Sequence, residues 1–96
     1  MKIGDPMVAK RLIISGKVQG VWYRVSAKQQ ADQLGLTGYV RNLPGGAVEA
    51  FVQGPEDALI AFESWCRSGP PHAKVLNIES TQQTPDPSLG DFDILR

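Results

Sequence analysis

The hydrophobic residues of this chain follow two kinds of spacing, one typical of strands and the other typical of helices. Between residues 10 and 16, the apolar Leu12 and Ile14 alternate with polar neighbours, which predicts a strand buried mainly on one side. Between residues 23 and 34, apolar residues return every three or four positions, which predicts an amphipathic helix. Gly35 follows and ends the predicted helix, because glycine adopts the left-handed conformation at little steric cost.

The middle of the chain predicts a β-hairpin. Segment 37–42 is rich in β-branched and aromatic residues, and segment 47–53 alternates apolar and polar residues with the period of a strand. The four residues between them, 43–46, read Leu-Pro-Gly-Gly and have the composition of a turn. The two strands are therefore expected to pair antiparallel.

The last part of the chain predicts a second helix and two more strands. Gly54 and Pro55 open the helix, which carries one apolar stripe and ends at the Gly-Pro-Pro run of residues 69–71. Segment 75–78 predicts a fourth strand and segment 92–94 a short fifth strand. Residues 81–90 between them are rich in Thr, Pro, Ser and Gly, which predicts a surface loop.

The predicted order is strand, helix, strand, strand, helix, strand, with one short extra strand at the C-terminal end. Because two neighbouring strands form a hairpin, the sheet is not all-parallel. Both helical crossovers should be right-handed, which places both helices on one face of the sheet. The order predicts an α+β fold, a two-layer α/β sandwich of the ferredoxin-like split βαββαβ type with an antiparallel sheet. This fold hosts many functions and does not identify one.

Length and composition favour one folded domain. The chain has 96 residues, of which 42% are apolar and 21% are charged, the balance of a globular domain. Residues 1–8 show no periodicity and contain Gly4, Asp5 and Pro6, so we expect a disordered leader or an expression remnant there. The domain is accordingly expected to span residues 9–96.

The single cysteine and the short apolar runs exclude several classes of protein. Cys66 alone cannot form an intrachain disulfide or a multi-thiolate metal site. No apolar run reaches the roughly 18 residues of a membrane span, and the N-terminal residues lack the apolar core of a signal peptide. We expect a cytoplasmic protein that binds no membrane and holds no metal.

Charge is balanced overall but unevenly distributed. Ten Lys and Arg stand against ten Asp and Glu, and the resulting net charge of zero argues against a nucleic-acid partner. Residues 1–28 nonetheless carry six Lys or Arg and only one Asp. This basic third is consistent with a local site for a small anion, but taken by itself it favours an ordinary solvated surface.

The segment between the first strand and the first helix is a candidate anion site. Gly16 and Gly20 allow successive backbone N–H groups to turn inward, and the partially positive N-terminus of a helix follows directly. Arg24 would lie in the first helical turn, where a cation is unfavourable unless its guanidinium faces a negative ligand. A glycine-bounded turn with an exposed arginine explains the same residues, and local chemistry leaves both interpretations open.

The remaining candidate side chains have ordinary explanations when each is taken alone. Asn42 ends the second predicted strand, where asparagine is common for local hydrogen bonding. His72 is expected in a solvated loop, Cys66 as a buried inert thiol, and Glu49 as a charge on the sheet surface.

Two segments together nevertheless resemble the signatures of the acylphosphatase family. The first signature is Gly-x-Val-Gln-Gly-Val-x-Phe/Tyr-Arg, and residues 16–24 match it at every defined position. The second is Gly-aromatic-Val-Arg-Asn, which residues 38–42 match. The resemblance covers about residues 10–96. One departure is Gly45, where family members often carry aspartate in the hairpin turn.

The resemblance implies hydrolysis of acyl phosphates, R–CO–O–PO₃²⁻, to a carboxylate and inorganic phosphate, without a metal or an organic cofactor. It implies that Arg24 binds the phosphoryl group and that Asn42 orients the attacking water. The substrate-binding residues that it implies are Lys17, Val18, Gln19, Gly20, Val21, Trp22 and Tyr23. Trp22 either packs under the loop or walls the acyl side of the substrate, and the sequence leaves both possibilities open.

Two other interpretations belong to different functional classes. An RNA-binding module of the same topology would need a basic-Gly-aromatic-Gly/Ala-Phe-Val run, which the sequence lacks. A non-catalytic domain of the same fold would bind a phosphate ligand without turnover, and the resemblance also extends to acylphosphatase-like domains within larger carbamoyl-transfer proteins. We predict instead a small monomeric enzyme whose partners are an acyl phosphate substrate and its phosphate product, with no nucleic acid.

Overall fold

Seven elements make up the part of the chain that the computed structural model describes, residues 6–96. In chain order they are β1 (Val8–Lys17), α1 (Tyr23–Gln33), β2 (Thr37–Asn42), β3 (Val48–Gly54), α2 (Glu56–Cys66), β4 (Lys74–Gln83) and β5 (Phe92–Ile94). This is the predicted βαββαβ order with one extra strand, and the ferredoxin-like fold class is confirmed.

The sheet holds five strands in the order β4-β1-β3-β2-β5. The four longer strands pair antiparallel, as the hairpin between β2 and β3 requires. The extra strand β5 pairs parallel with β2, so the sheet is mixed at this edge and not antiparallel throughout. The connection from β4 is held against β3 because the Gln53 side-chain amide donates to Asp86 O at 2.8 Å and accepts from Asp86 N–H at 2.7 Å. From there the chain enters β5 in the direction of β2.

The hydrophobic core lies between the sheet and the two helices. Tyr23 and Ala27 of α1 and Leu59 and Phe62 of α2 are almost completely buried. They form one cluster with inward-facing strand residues, which include Leu12, Ile14, Val40, Val48, Ala50 and Val52. The apolar stripes that the sequence predicts for both helices are therefore their buried faces.

Two boundaries differ from the sequence predictions. Residues 81–83, expected in a loop, belong to β4 and pair with β1. Because β4 is an edge strand with mostly exposed polar side chains, its hydrogen bonds define it and hydrophobic alternation does not. Val8, inside the expected leader, begins β1 and pairs with Gly54. The part of the leader prediction that concerns residues 1–5 lies outside the described residues.

One end of the sheet brings together the two segments that carry the family signatures. Because β1 and β2 both run antiparallel to β3, their C-terminal ends lie beside the start of β3. The loop after β1 and the turn after β2 are therefore neighbours. The Gln19 side-chain amide joins them, since its Nε2 donates to Leu43 O at 2.9 Å and to Ala47 O at 2.8 Å.

Candidate active site

The path into and through the β1–α1 loop, residues 18–22, depends on glycine at two points, one at the end of β1 and one in the loop. Gly16 has φ 129°, and a Cβ there would lie 2.1 Å from the Lys74 carbonyl oxygen, so a side chain would clash with β4. Gly20 has φ 75°, a conformation that most other residues avoid. Two buried side chains anchor the loop, Val18 and Val21. The backbone between these anchors can thus turn its N–H groups toward a ligand.

The N-terminus of α1 is not satisfied by side chains of the protein. Trp22 precedes the helix in the left-handed conformation, with φ 67° and ψ 23°. Within residues 6–96 no side chain caps this end, and the first turn contains no Asp or Glu. The first N–H groups of a helix have no intrahelical acceptor and carry partial positive charge. This end of α1 therefore suits an anion.

Arg24 is the second residue of α1 and lies beside this helix end. Its Nη1 donates to the Leu95 carbonyl oxygen at 3.2 Å, just beyond β5. The contact holds the side chain between α1 and the C-terminal segment. A guanidinium has five N–H donors, so one such bond leaves enough of them to contact two oxygens of a phosphate.

Asn42 is the last residue of β2, and its side-chain oxygen is orphaned. Oδ1 is buried and has no hydrogen-bond partner among residues 6–96. Most buried polar atoms are paired, because burial without a partner costs free energy. An unpaired acceptor in this position is available to a donor such as water.

These features meet in one cleft with a volume of about 490 Å³. Its lining residues are Val18, Gly20, Trp22, Tyr23, Arg24, Val25, Asn42, Ile94 and Arg96. The structure therefore brings together both predicted catalytic residues and four of the seven predicted binding residues. The other three lie outside the lining: Lys17, Gln19 and Val21.

Among residues 6–96, no group of three His, Cys, Asp or Glu side chains is arranged to hold a metal ion. In the same part of the chain, neither helix is long and apolar enough to cross a membrane.

Comparison with known proteins gives a result that agrees with this geometry. The family model named Acylphosphatase matches residues 10–94. The chain belongs to the acylphosphatase family.

Individual acylphosphatases resemble the chain over nearly its whole length. The acylphosphatase of Methylococcus capsulatus is 44% identical over 85 residues, which cover 88% of this chain and 92% of that protein. The crystal structure of acylphosphatase from Bacillus subtilis superimposes with a TM-score of 0.89 at 35% identity and covers 93% of this chain and 99% of that one. An acylphosphatase structure from Coxiella burnetii gives a TM-score of 0.86 at 37% identity and covers 93% of each chain.

Family membership and these relatives define the activity. The chain is an enzyme of the acylphosphatase class, which hydrolyses the carboxyl–phosphate bond of acyl phosphates to a carboxylate and inorganic phosphate. The alternative of a non-catalytic domain is not favoured, because the matched relatives are themselves acylphosphatases of similar length.

Within the acylphosphatase signature, Gln19 holds the site together and does not line it. Its two hydrogen bonds reach the Leu43 and Ala47 carbonyl oxygens, which flank the hairpin turn. The β1–α1 loop is thereby attached to the segment that follows Asn42. The role of this side chain in the geometry is to position the loop relative to the strand end.

Tyr23 of the same signature anchors α1 in the core. Its hydroxyl donates to the Cys66 carbonyl oxygen at 2.7 Å, and its ring centroid lies 5.5 Å from that of Trp65. Cys66 is completely buried, as predicted. Burial raises the pKa of the Tyr23 hydroxyl and raises that of the Cys66 thiol to about 12. Both groups therefore stay protonated at neutral pH.

Glu49 corrects a sequence prediction. It lies on the sheet but is only 2% exposed, because Arg11 and Arg41 lie beside it and each donates Nε–H to its carboxylate. Burial acts to raise the pKa of Glu49, but the two guanidinium groups outweigh this effect and hold the pKa below its usual value. Arg41 is thus committed to an ion pair, which steadies the end of β2 next to Asn42.

Three cleft residues were not found by sequence reasoning: Val25, Ile94 and Arg96. Val25 belongs to the predicted helix and carries no reactive group that would attract notice. The other two reach the cleft because β5 lies on the far side of β2, and Lys28 Nζ holds it beside α1 by donating to Phe92 O at 2.7 Å. The predicted strand at residues 92–94 was the available indication, but it did not reveal this neighbour.

Proposed function

We propose that the chain hydrolyses acyl phosphates with the phosphoryl group held by the β1–α1 loop and Arg24, and with the attacking water oriented by Asn42. The amides of the loop and of the first turn of α1 supply N–H donors, and Arg24 supplies the full positive charge. Fixed donors and a fixed charge are what phosphoryl transfer needs, because its catalysis depends mainly on positioning and on charge stabilisation.

The observation that carries the proposal is the buried, unpaired Oδ1 of Asn42 in the cleft that Arg24 also lines. A water that donates one proton to Oδ1 has its oxygen lone pairs free to attack phosphorus. Pre-orientation of a reactant in this way removes much of the entropic cost of the reaction. The stability that an unpaired oxygen costs the free enzyme is then explained by its use in the reaction.

The reaction needs little acid or base catalysis from the protein. The water oxygen forms a bond to phosphorus while the bond from phosphorus to the acyl oxygen breaks. The electron pair of that bond leaves with the carboxylate, whose ordinary pKa of about 4 makes protonation unnecessary. The cleft lining formed by residues 6–96 contains no Asp, Glu or His, so the water proton passes to a phosphate oxygen.

The direct test is hydrolysis of benzoyl phosphate, followed by ultraviolet absorbance in the presence of excess chelator. Arg24→Gln keeps a polar side chain but loses the charge, and we expect kcat/KM to fall about 10³-fold. Arg67→Gln is the matched control, because Arg67 follows α2, is 64% exposed and pairs with Glu63. The control should retain wild-type activity.

Each alternative result has a defined meaning. Wild-type activity that is lost with chelator would contradict the metal-free reaction. Activity retained by Arg24→Gln would place the phosphate elsewhere. A folded wild-type protein that binds inorganic phosphate but does not hydrolyse benzoyl phosphate would favour a non-catalytic phosphate-binding domain.

We also infer a monomer in the cytoplasm. In support of the monomer, the large exposed apolar side chains of residues 6–96 that lie outside the cleft lining are on separate elements, such as Ile60 on α2 and Leu76 on β4. Sedimentation equilibrium tests the monomer, and subcellular fractionation of the source cells tests the location.

A further inference from the structure

We propose that Trp22, together with Val25 and Ile94, forms an apolar lip that recognises the acyl group, so that the enzyme prefers aromatic or extended apolar acyl phosphates to acetyl phosphate. The inference rests on the proposed function, because it assumes that the phosphoryl group lies against Arg24 and the β1–α1 loop. It answers the question about Trp22 that the sequence leaves open.

Trp22 does not pack under the loop. Its side chain is 75% exposed and lines the cleft, whereas the aromatic side chain next to it, Tyr23, is 2% exposed. Tryptophan is usually well buried because it removes a large apolar surface from water. An exposed indole at the mouth of a cleft therefore requires an explanation that protein stability does not provide.

The backbone conformation of Trp22 also fails to explain why a tryptophan is present. Among residues 6–96, Trp22 is the only residue other than glycine with a positive φ, at 67°. This left-handed conformation is unfavourable for a bulky side chain. The buried Val21 and Tyr23 on either side set the path of the chain, and glycine or asparagine would fit that path at lower cost. Neither burial nor backbone preference explains a tryptophan here.

The lip is built from three apolar side chains: Trp22 just before α1, Val25 in α1 and Ile94 at the end of β5. Trp22 and Val25 line the same cleft, and Val25 is 40% exposed. Ile94 of β5 is 36% exposed and lines the same cleft. Arg24 Nη1 donates to the carbonyl oxygen of Leu95, the residue after this strand, and so holds the strand beside the helix. The lip is thus a fixed surface.

The size and polarity of the cleft define the ligand class. Its volume of about 490 Å³ is far larger than a phosphoryl group requires and is within the usual range for small-molecule sites. The polar groups that would hold the phosphate, Arg24 and Asn42, account for only part of the lining. The apolar remainder suits an acyl group with an aromatic ring or a short hydrocarbon chain.

The test compares two substrates that differ only in the acyl group, benzoyl phosphate and acetyl phosphate. The measured quantity is the ratio of their kcat/KM values, which is insensitive to changes shared by both substrates. Trp22→Asn tolerates the left-handed backbone and removes the ring. We expect it to lower the ratio about tenfold, mainly through a higher KM for benzoyl phosphate, because the lip contacts a part of the substrate that does not react.

Two further variants make the result specific. Trp22→Phe keeps an aromatic surface and should retain the ratio within about twofold. Leu76→Ala removes an equally exposed apolar side chain, 75% exposed on β4 and outside the cleft lining, and should leave both substrates unaffected.

The outcomes separate this inference from the proposed function. Failure of the wild-type enzyme to hydrolyse either substrate would overturn the proposed function. Hydrolysis of both substrates with an unchanged ratio in Trp22→Asn would overturn the lip alone. Equal losses on both substrates would also overturn it, since Trp22 would then shape the phosphate site and not recognise the acyl group.

Discussion

The two helices have the same length, but the residues at their N-termini carry opposite charges. α2 follows Pro55 and carries Glu56 and Asp57 in its first turn, and Asp57 Oδ1 accepts the Ala58 N–H at 2.9 Å. α1 follows a tryptophan in a left-handed conformation, has no acid in its first turn and carries Arg24 there. Each helix has 11 residues, so the difference lies in the chemistry of their ends.

The comparison separates a helix end that its own acidic residues stabilise from one that no side chain of residues 6–96 caps. Carboxylates near an N-terminus stabilise a helix, and a cation in the same place destabilises it. The acids of α2 therefore balance the partial positive charge of its N-terminus, whereas α1 has no such acid, and in the proposed function the phosphate supplies the negative charge. The less stable helix end, at the start of α1, is the one that lines the cleft.

The largest expected effect comes from placing an acid in the first turn of α1, as in the first turn of α2. Arg24→Glu places an acid in the first turn, which should maintain or raise the unfolding temperature because of the helix dipole. It should also lower kcat/KM for benzoyl phosphate by at least about 10³-fold, because a carboxylate repels the phosphoryl group. Thermal unfolding and steady-state kinetics on the same preparation would show whether stability and activity move in opposite directions. Substantial remaining activity would mean that this helix end does not bind phosphate.

The next largest effect is expected from a substitution that disturbs the attacking water and leaves phosphate binding intact. Asn42→Ala should lower kcat about 10²-fold, because it removes the acceptor that orients the water. The inhibition constant of inorganic phosphate should change much less, since Arg24 and the loop remain. Asn77→Ala, on the exposed strand β4, is the matched control. A large loss of phosphate affinity in Asn42→Ala would instead assign this side chain to phosphate binding.

A smaller effect is expected from loosening the loop that leads into α1. Gln19→Ala removes both hydrogen bonds to the hairpin and should lower the unfolding free energy by about 1–2 kcal/mol. We expect kcat to fall about tenfold, since a misplaced loop separates the phosphate from the water. Gln29→Ala, exposed on α1, provides the comparison for both measurements. Loss of stability without loss of kcat would limit Gln19 to a structural role.

The smallest effect comes from placing a cation in the first turn of α2, as in the first turn of α1. Asp57→Arg should lower the unfolding free energy by about 1 kcal/mol, because a cation replaces an acid in the first turn. Activity should match the wild type, since α2 lies outside the cleft lining. Urea unfolding followed by circular dichroism would measure the first quantity, and the benzoyl phosphate assay the second. A variant as stable as the wild type would show that the charges at this end are too well solvated to matter.

Much of the fold was predictable because it depends on local patterns. The helical spacing of Tyr23, Ala27 and Ala31 and the turn at residues 43–46 each lie within one short segment, and the structure has a helix and a hairpin there. The β4 boundary was missed because an exposed edge strand has no hydrophobic face to reveal it. Glu49 was misassigned because its burial depends on Arg11, which is distant in the sequence but adjacent in the sheet.

By itself, the sequence determined the order of the elements, the family and the two residues proposed for catalysis, since periodicity and short motifs are properties of neighbouring residues. Only the tertiary structure decided how the cleft is completed. The hydrogen bonds from Gln19 to the hairpin and the presence of Ile94 in the same cleft as Trp22 both bring together segments far apart in the chain. Such contacts follow from strand order and from the parallel pairing of β5 with β2, which local spacing does not encode.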